Sequence, residues 1–470
     1  MNANELQQLL LDKLGADCVV TAPSDLVAWT TDWRGMYHGQ AAAVVRPRTT
    51  EDVAACVALC AAHGVPVVPR GGNTGLCGAA TPDQNPLNVV LSLDRMNAIV
   101  SVDPVANTMV VQAGCILGDL QRAAEEHGRL FPLSLAAEDS CQIGGNLATN
   151  AGGVNVVRYG MVRDLVLGLE VVLPSGEIWN GLRTLRKDNT GYDLKQLFLG
   201  SEGTLGIITA AALRIFPATK SRAVALVAID TPQHALDLFS IMFERCAGRI
   251  DAFEYFSGDC LELVLGVTPS LRRPFAEPHA GYVLVELGDS GEAEVLHELL
   301  ENALGDALER ECCSDVAVAS SLAQACALWQ LREDISEAQR VDGPHLKHDV
   351  SLPIERIPAF IEAARQRLFA QFPDLRLFVF GHLGDGNLHY NVSRPRDAAP
   401  DYFTSCGDAV TDIILDEVAR QDGSFSAEHG IGQLKRKHLR AYKSALEIRM
   451  MEDLKRTFDP KGIMNPGKIL

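Results

Sequence analysis

The chain lacks several patterns that identify membrane, nucleic-acid and cluster-binding proteins. No stretch approaches the ~20 apolar residues of a membrane span. A formal net charge of −18 disfavours binding to nucleic acid or to an anionic membrane. None of the twelve cysteines lies in a C-x-x-C pair, so iron–sulfur ligation and cysteine-rich zinc sites are disfavoured. Reduced, partly buried thiols in a cytoplasmic protein are the simplest interpretation.

Two phosphate-binding signatures and a secretory signal are also missing. The chain has neither the G-x-G-x-x-G dinucleotide fingerprint nor a G-x-x-x-x-G-K-[ST] loop, so a Rossmann NAD site is poorly supported. The N-terminus has no basic start or apolar core, and leucines at helical spacing predict a helix there. What is present, 470 residues with 47% apolar and 22% charged, is typical of a globular protein with two or three domains.

Short strands alternate with helices from about residue 41, which predicts an α+β fold. One predicted helix has a capping-box start at Thr49–Asp52 and stops at His63–Gly64. Glycine clusters recur up to Leu199–Thr209 and disappear after Ser221. We therefore predict an N-terminal helical segment over 1–40, a first domain over 41–220, a second domain over 221–440 and a C-terminal segment over 441–470.

Three glycine-rich segments in the first domain are candidates for binding a large ligand. They are Arg70–Gly75, which follows a strand, Cys141–Gly160 and Leu199–Thr209. Glycine lets several backbone N–H groups converge on an anion, although each cluster alone is more often a tight turn. Three clusters in one domain favour a phosphate-bearing cofactor.

The segment Gly381–Asn391 has the pattern of two strands joined by a turn. Asp-Gly favours a type I′ turn, in which both central residues need positive φ. With Asp385 and Gly386 at those positions, His382 lies opposite His389, at a Cβ separation of roughly 4.5–5.5 Å. That separation suits a shared metal ion. A polar turn that contains two histidines by chance is the alternative.

A second short segment, Ser426–Gly432, places an acid beside a third histidine. Glu428 joins His382 and His389 in a two-His, one-carboxylate set, which suits zinc as first choice, or iron or manganese. His429 adjoins Glu428 and could act as a general base. The alternative is a helix start, in which Ser426 caps a helix over Gln433–Leu439 and an acid is favourable.

A third candidate group could bind the far end of a substrate. Ser321–Arg340 has the pattern of a helix, in which Arg332 and Ser336 are four residues apart and share a face. An arginine with a nearby hydroxyl and Lys347 would suit a carboxylate, which arginine binds through two hydrogen bonds. The alternative is a solvated helix face next to a surface lysine.

Taken in order, these motifs resemble those of a known family. Pro69–Leu76, Cys141–Gly153, Leu199–Thr209 and the Asn465–Pro466 tail are similar to the FAD-binding domain of the vanillyl-alcohol oxidase/p-cresol methylhydroxylase superfamily. The second half, with its histidines and Glu428, resembles the D-2-hydroxyacid dehydrogenase branch. Within that branch the order of motifs is most similar to the D-2-hydroxyglutarate dehydrogenases. The resemblance covers nearly the whole chain.

The resemblance implies a two-subdomain, α+β FAD-binding domain of the p-cresol methylhydroxylase (PCMH) type. An α+β cap domain would carry the substrate and metal site, and the C-terminal segment would return to the FAD domain. FAD would bind non-covalently, because the matching loops contain no histidine, although Cys77 and Cys141 lie there. The implied cofactor-binding residues are Arg70, Gly71, Gly72, Asn73, Thr74, Gly75, Cys141, Gly144, Gly145, Asn146, Thr149, Asn150, Gly153, Glu202, Gly206, Ile207, Ile208 and Asn465.

The implied activity is oxidation of a D-2-hydroxy acid by hydride transfer to FAD, with D-2-hydroxyglutarate as first choice and 2-oxoglutarate as product. The metal would be held by His382, His389 and Glu428, and His429 would be the catalytic base. The implied substrate contacts are Arg332, Ser336, Lys347 and Asn391. Relatives usually have threonine where this chain has Ser336, which leaves the length of the substrate open.

Several alternatives remain open from the sequence. The same chemistry could act on D-lactate, D-malate or glycolate, and a redox-neutral flavoprotein or a non-catalytic metal-binding module are different classes. The resemblance implies an electron-transfer flavoprotein or a quinone, rather than NAD, as electron acceptor. A homodimer is consistent with the sequence but is not specified by it.

Overall fold

The computed structural model describes residues 1–470, and the chain forms two compact units. Unit 1 comprises Met1–Gly152, Gly160–Ala218 and Glu428–Leu470, and unit 2 comprises Gly153–Tyr159 and Thr219–Ala427. The chain thus enters unit 1 at Glu428, before the boundary predicted at residue 440. The reason lies in backbone hydrogen bonds, since the residues after Glu428 bond to Cys77 and Glu202 of unit 1.

The α-helices are α1 (Ala3–Leu14), α2 (Pro23–Thr30), α3 (Thr50–His63), α4 (Leu117–Glu126), α5 (Ile143–Thr149), α6 (Val156–Tyr159), α7 (Lys195–Phe198), α8 (Pro232–Cys246), α9 (Gly258–Val267), α10 (Ala293–Glu309), α11 (Leu322–Glu333), α12 (Ile335–Asp342), α13 (Ile357–Gln371), α14 (Phe403–Arg420), α15 (Arg436–Tyr442) and α16 (Ala445–Phe458). Short 3₁₀ helices are Val162–Leu165, Ile354–Arg356 and Leu383–Asp385. None of these helices combines the length and the apolar character needed to span a bilayer.

The strands are β1 (Val19–Val20), β2 (Ala43–Val45), β3 (Val67–Arg70), β4 (Val89–Ser92), β5 (Ile99–Asp103), β6 (Thr108–Gln112), β7 (Arg129–Leu130), β8 (Val166–Val172), β9 (Ile178–Gly181), β10 (Ile207–Arg214), β11 (Phe216–Pro217), β12 (Ser221–Ile229), β13 (Ile250–Ser257), β14 (Gly281–Asp289), β15 (Asp315–Val318), β16 (His345–Leu346), β17 (Asp349–Ser351), β18 (Arg376–His382) and β19 (Asn387–Ser393).

Unit 1 contains two main sheets. The first has the order β1-β2-β4-β3, with β2, β4 and β3 parallel and β1 antiparallel to β2. The second is antiparallel, with the order β5-β6-β10-β8-β9. Near the end of the chain, Ile463 and Asn465 exchange backbone hydrogen bonds of 2.8 Å with Val67 at the edge strand β3. The C-terminal segment therefore returns to the first sheet, as predicted.

Local sequence accounts for both ends of α3, which covers the first sheet. Thr49 and Asp52 form the predicted capping box, and Gly64 ends the helix in the left-handed conformation at φ +64°. Val53 and Val57 are fully buried against the valines of the sheet. Burial of a valine contributes about 1.5–3 kcal/mol, so this stripe anchors the helix without help from its polar face.

Unit 2 is built on one antiparallel sheet with the order β15-β12-β14-β13-β18-β19-β16, and β17 also pairs with β19. Its core joins Leu226, Phe256 and Leu284 of the sheet to helices α9, α11 and α12. Two buried acids, Asp251 and Glu254, lie within the central strand β13, and the register partner of Glu254 on β18 is His382. The sheet therefore brings an acid and a candidate metal ligand together in its interior.

The hairpin that carries the two histidines differs from the prediction. A 3₁₀ helix, Leu383–Asp385, joins the strands, and of the predicted central pair only Gly386 has positive φ, at +88°. His389 consequently pairs with Phe380 and not with His382. The register has shifted by two residues, so both histidines stay on the same face, because side chains alternate along a strand.

The single helix predicted over Ser321–Arg340 is wrong as well. Two helices, α11 and α12, meet at Asp334, which is the C-cap of the first and the N-cap of the second. Arg332 is buried and Ser336 is exposed, so the two do not share one face.

Candidate active site

A cavity in unit 1 collects the three glycine-rich segments. It encloses about 630 Å³, including space open to solvent. The predicted residues on its wall are Arg70, Gly71, Gly144, Gly145, Thr149, Glu202, Gly206, Ile207, Ile208 and Asn465. Sequence reasoning did not single out five wall residues inside the quoted motifs, Pro69, Gln142, Ala148, Ser201 and Gly203. It also missed five apolar residues outside them, Ala79, Ala80, Leu93, Ala113 and Phe198.

The remaining predicted cofactor residues do not line this cavity. Within unit 1 they are Gly72, Asn73, Thr74, Gly75, Cys141, Asn146 and Asn150, and Gly153 belongs to unit 2. Gly72 has a structural reason to be glycine, because a Cβ there would collide with the carbonyl oxygen of Ser140. Gly75 has no such reason, since a Cβ there meets nothing within 4 Å. Gly72 thus lets the first glycine-rich segment touch the second.

Unpaired polar atoms at the cavity test whether FAD fits. Gln142 Oε1 and Asn465 Oδ1 are buried and have no hydrogen-bond partner among the protein atoms, and both residues line the cavity. A buried acceptor without a partner costs about 1–3 kcal/mol. Ribose hydroxyls and the adenine amino group of FAD are donors that could satisfy these oxygens. The residues therefore fit this cofactor.

Arg70 does not present its charge to an anion. Its Nη1 donates to the carbonyl of Trp29 at 2.7 Å and its Nη2 to that of Ala28 at 3.0 Å. The guanidinium also lies over the Trp29 ring. Burial lowers the pKa of Arg70 to about 10. The side chain thus ties β3 to the end of α2, which leaves only the backbone of Arg70–Gly75 for the predicted anion cradle.

Glu202 fixes the segment that follows Glu428. Its carboxylate accepts the N–H groups of Ile431 at 2.6 Å and Gly432 at 2.8 Å. Burial raises the pKa of Glu202, and these two hydrogen bonds oppose the shift. Its carbonyl accepts from Asn465 Nδ2 at 2.7 Å. Glu202 therefore joins the cavity wall, the C-terminal segment and the segment of Glu428 within unit 1.

Glu428 and His429 begin this segment side by side. Glu428 Oε1 is 3.7 Å from His429 Nε2, and both side chains are mostly buried. A Cβ on Gly152 would lie 3.4 Å from Glu428 Oε2, so glycine leaves room for the carboxylate. A helix does follow this segment, but α15 begins at Arg436 with Lys435 at its N-cap, so Ser426 does not cap it as the alternative required.

His382 and His389 face each other in unit 2. Their ring centroids are 5.6 Å apart with the planes at 81°, and one ring nitrogen of each lies within 4.8 Å of the other. Both side chains are largely buried, at 10% and 14% exposure. Two imidazoles at this separation can approach one metal ion with little rearrangement.

A buried glutamate connects this pair to Arg332. Glu254 Oε1 accepts a hydrogen bond from His382 Nδ1 at 2.6 Å, and Glu254 Oε2 lies 2.8 Å from Arg332 Nη2. Burial opposes the charge of Glu254, but His382 and Arg332 outweigh it and lower the pKa of Glu254 to about 2. Sequence reasoning missed Glu254, whose one signal was an acid inside the apolar run AFEYF.

Arg332 retains a donor that could bind a ligand. Its guanidinium lies over the ring of Phe380, with Cζ 4.9 Å from the centroid. The side chain is buried, and its Nε has no hydrogen-bond partner among the protein atoms. An unpaired, buried guanidinium nitrogen suits an incoming carboxylate.

The other predicted substrate contacts have different surroundings. Ser336 and Lys347 are exposed. Asn391 is buried, and its amide accepts from the backbone of His348 at 3.2 Å and donates to Gln339 Oε1 at 2.8 Å. Asn391 thus has a structural role that links β19 to α12, while the two exposed residues do not share the environment of Arg332.

Two acids beside the histidines were also missed. Asp349 is the register partner of His389, and its Oδ1 lies 3.7 Å from His389 Nδ1. Its Oδ2 accepts from the N–H of Ala427, the residue that precedes Glu428. Asp385 lies in the 3₁₀ turn, where burial raises its pKa to about 7.

Comparison with known families shows the class of protein. A family described as FAD binding domain matches residues 41–181, and one described as FAD linked oxidases, C-terminal domain, matches residues 218–469. Among solved structures, p-cresol methylhydroxylase with substrate bound superposes with a TM-score of 0.77 at 18% identity, over 99% of this chain and 96% of that one. The predicted α+β fold with a PCMH-type FAD-binding domain is confirmed.

Curated relatives narrow the class. A D-2-hydroxyglutarate dehydrogenase of Xanthomonas citri pv. viticola is 40% identical over 449 residues, which cover 96% of this chain and 93% of the relative. The mitochondrial D-2-hydroxyglutarate dehydrogenase of Bos taurus is 40% identical over 468 residues, which cover 98% and 82%. This chain belongs to the family of FAD-linked D-2-hydroxyacid dehydrogenases.

Proposed function

We propose that the chain oxidises D-2-hydroxyglutarate to 2-oxoglutarate with FAD and one divalent metal ion, zinc first, or iron or manganese. The observation that carries the choice of a dicarboxylate is Arg332, a buried arginine with an unpaired Nε, connected to a histidine pair through Glu254. Relatives named for D-2-hydroxyglutarate, at 40% identity over nearly the whole chain, support the same substrate.

His382, His389 and Glu428 would hold the metal. The two imidazoles fit this role by their mutual distance and burial. The position of Glu428 in the chain supports its role as a ligand. It directly follows Ala427, whose N–H is hydrogen-bonded to Asp349, the register partner of His389. The Cα atoms of two consecutive residues lie about 3.8 Å apart. A metal held there supplies Lewis-acid chemistry, which lowers the pKa of a substrate hydroxyl.

His429 accepts the hydroxyl proton at a ring nitrogen, as the general base. Its Nε2 lies 3.7 Å from Oε1 of the neighbouring Glu428. Loss of the proton releases the hydrogen at C2 as hydride and leaves the carbonyl of the 2-oxo acid. FAD, when bound, supplies the two-electron acceptor for this hydride. Arg332 meanwhile binds the distal carboxylate, with Ser336, Lys347 and Asn391 as further proposed contacts.

FAD binds non-covalently in the cavity of unit 1, through the backbone of the glycine-rich segments. The two cysteines of these segments support this assignment. Cys77 Sγ is 3.5 Å from the carbonyl of Gly430, and burial raises the pKa of the Cys141 thiol, which disfavours a nucleophilic thiolate. Residues 41–220 form the FAD-binding domain in this proposal, and the following domain carries substrate and metal. An electron-transfer flavoprotein or quinone as acceptor, a homodimer and a cytoplasmic location rest on the sequence alone.

Anaerobic flavin reduction tests the proposal. D- and L-2-hydroxyglutarate, D-lactate, D-malate and glycolate are mixed in turn with the purified protein, with and without chelator, and flavin absorbance is followed. D-2-hydroxyglutarate should bleach the flavin fastest, and chelator should slow the reaction strongly. If the chelator left the rate of flavin reduction unchanged, the proposed role of the metal would be wrong. If a monocarboxylate reduced the flavin faster than D-2-hydroxyglutarate, the proposed substrate would be wrong. Arg332→Ala should lower the rate of flavin reduction by D-2-hydroxyglutarate more than the rate of reduction by D-lactate.

A further inference from the structure

We propose that Glu254 is a positioning residue that sets both the metal-binding nitrogen of His382 and the substrate-binding donor of Arg332. The inference rests on the proposed function, because it presumes a metal at His382 and a substrate carboxylate at Arg332. It adds a residue from β13 that lies 128 positions away from His382 in the chain.

The first half of the inference concerns the imidazole of His382. The two residues are register partners on neighbouring strands, and Glu254 is 1% exposed, so water does not compete for its carboxylate. The bond of 2.6 Å to Nδ1 holds the proton on that nitrogen and leaves the lone pair on Nε2. Metal-ligating histidines are commonly oriented by a carboxylate in this way, which also makes the imidazole more basic.

The second half concerns the guanidinium of Arg332. Glu254 Oε2 lies 2.8 Å from Nη2, and Phe380 covers one face of the group. These two contacts fix the plane of the guanidinium and leave the buried Nε without a partner. The same carboxylate thereby determines which donor of Arg332 a substrate can reach.

One rigid group therefore sets the separation between the metal end and the carboxylate end of the substrate. A 2-hydroxy acid whose second carboxylate lies at the matching distance gains both contacts, whereas a monocarboxylate gains only the first. Glu254 thus contributes to discrimination between D-2-hydroxyglutarate and D-lactate, although it contacts neither of them in this arrangement.

The test compares Glu254→Gln with Glu286→Gln in the FAD-loaded protein. Glu286 is a matched control, because it is buried on the adjacent strand β14 and accepts from Trp329 Nε1 at 2.6 Å. After treatment with chelator, affinity for Zn²⁺ is measured by competition with a chromophoric chelator, and KM and kcat are measured for both acids after zinc is restored. Glu254→Gln should lose about 10- to 100-fold in zinc affinity. It should also raise KM for D-2-hydroxyglutarate about tenfold relative to D-lactate, the equivalent of one lost contact. Glu286→Gln should change neither quantity.

Three results would overturn the inference. Unchanged zinc affinity and an unchanged KM ratio in Glu254→Gln would refute it while leaving the proposed function intact. A change in only one of the two would refute the shared role. If the wild-type protein bound no zinc, the proposed metal site and this inference would fall together. Should Glu254→Gln not fold, Glu254→Asp keeps the charge but is one methylene shorter, and both quantities should again shift together.

Discussion

The cavity of unit 1 and the buried side-chain cluster of unit 2, formed by Glu254, Arg332 and His382, differ in composition. The cavity consists of glycines, small side chains and unpaired neutral oxygens, and the charges of Arg70 and Glu202 are engaged with backbone groups. The cluster consists of Glu254, Arg332 and His382, titratable side chains buried against each other. The shape of the cavity depends on the backbone conformation that glycine and other small residues allow. The cluster depends on hydrogen bonds and ion pairs between specific side chains. The two should therefore fail in different ways.

The largest expected effect is loss of the metal without loss of the flavin. His382→Ala and His389→Ala each remove a proposed zinc ligand and should reduce zinc affinity by more than ~100-fold. Loss of a residue that only hydrogen-bonds to a ligand typically costs up to ~100-fold. Flavin absorbance per chain should stay at the wild-type level. Elemental analysis and the visible spectrum measure both, with His127→Ala, an exposed histidine of unit 1, as control. Loss of both zinc and flavin from one variant would contradict the expectation that the two sites fail independently.

The converse change should remove the flavin and spare the metal. Gly72→Ala places a Cβ against the carbonyl of Ser140, and such overpacking costs about 1–3 kcal/mol. FAD affinity should fall about 5- to 150-fold. Gly75→Ala, in the same segment but without a neighbour within 4 Å, should bind FAD normally. Fluorescence titration of the deflavinated protein measures both variants, and equal affinities would show that the close approach to Ser140 does not shape the cavity.

A smaller effect concerns the stability of unit 2 against pH. Burial raises the pKa of Asp385 from 3.8 to about 7, so the folded state holds a proton that the unfolded state releases. The free energy of unfolding should therefore fall as the pH rises from about 4 to about 7. Asp385→Asn cannot titrate, and in the presence of chelator its Tm should exceed that of the wild type by roughly 2–10 °C at pH 8.

The difference between Asp385→Asn and the wild type should vanish near pH 4. Asp374→Asn, at an exposed position, provides the control, and its Tm should follow the wild type at every pH. A constant difference across the pH range would show that the proton on Asp385 is not the cause.

The smallest effect is expected at Ser336. Because Ser336 is exposed and threonine keeps the hydroxyl proposed to contact the substrate, Ser336→Thr should change KM for D-2-hydroxyglutarate by no more than about twofold. Steady-state kinetics with an artificial electron acceptor measure this. A tenfold change would show that the position cannot accept the added methyl group.

The comparison also explains what could be predicted from the sequence. Helix α3 was predicted with its capping box and its glycine end, because these signals are local. The hairpin register was wrong because Gly386 approaches the carbonyl of Leu352, a tertiary contact that favours the 3₁₀ turn. A glycine cluster indicates a backbone site within a few residues of sequence. The contact between Glu254 and His382 depends instead on the pairing of β13 with β18, which no local pattern predicts.

The hydrogen bonds of Asn465 have a consequence for the order of events during synthesis. This residue lines the cavity, bonds to Glu202 and extends the edge of β3. The cavity wall is therefore incomplete until synthesis has passed Asn465, which lies 395 positions after Arg70 on the same wall. A nascent chain arrested between these two residues would lack this part of the cavity and should retain FAD less well.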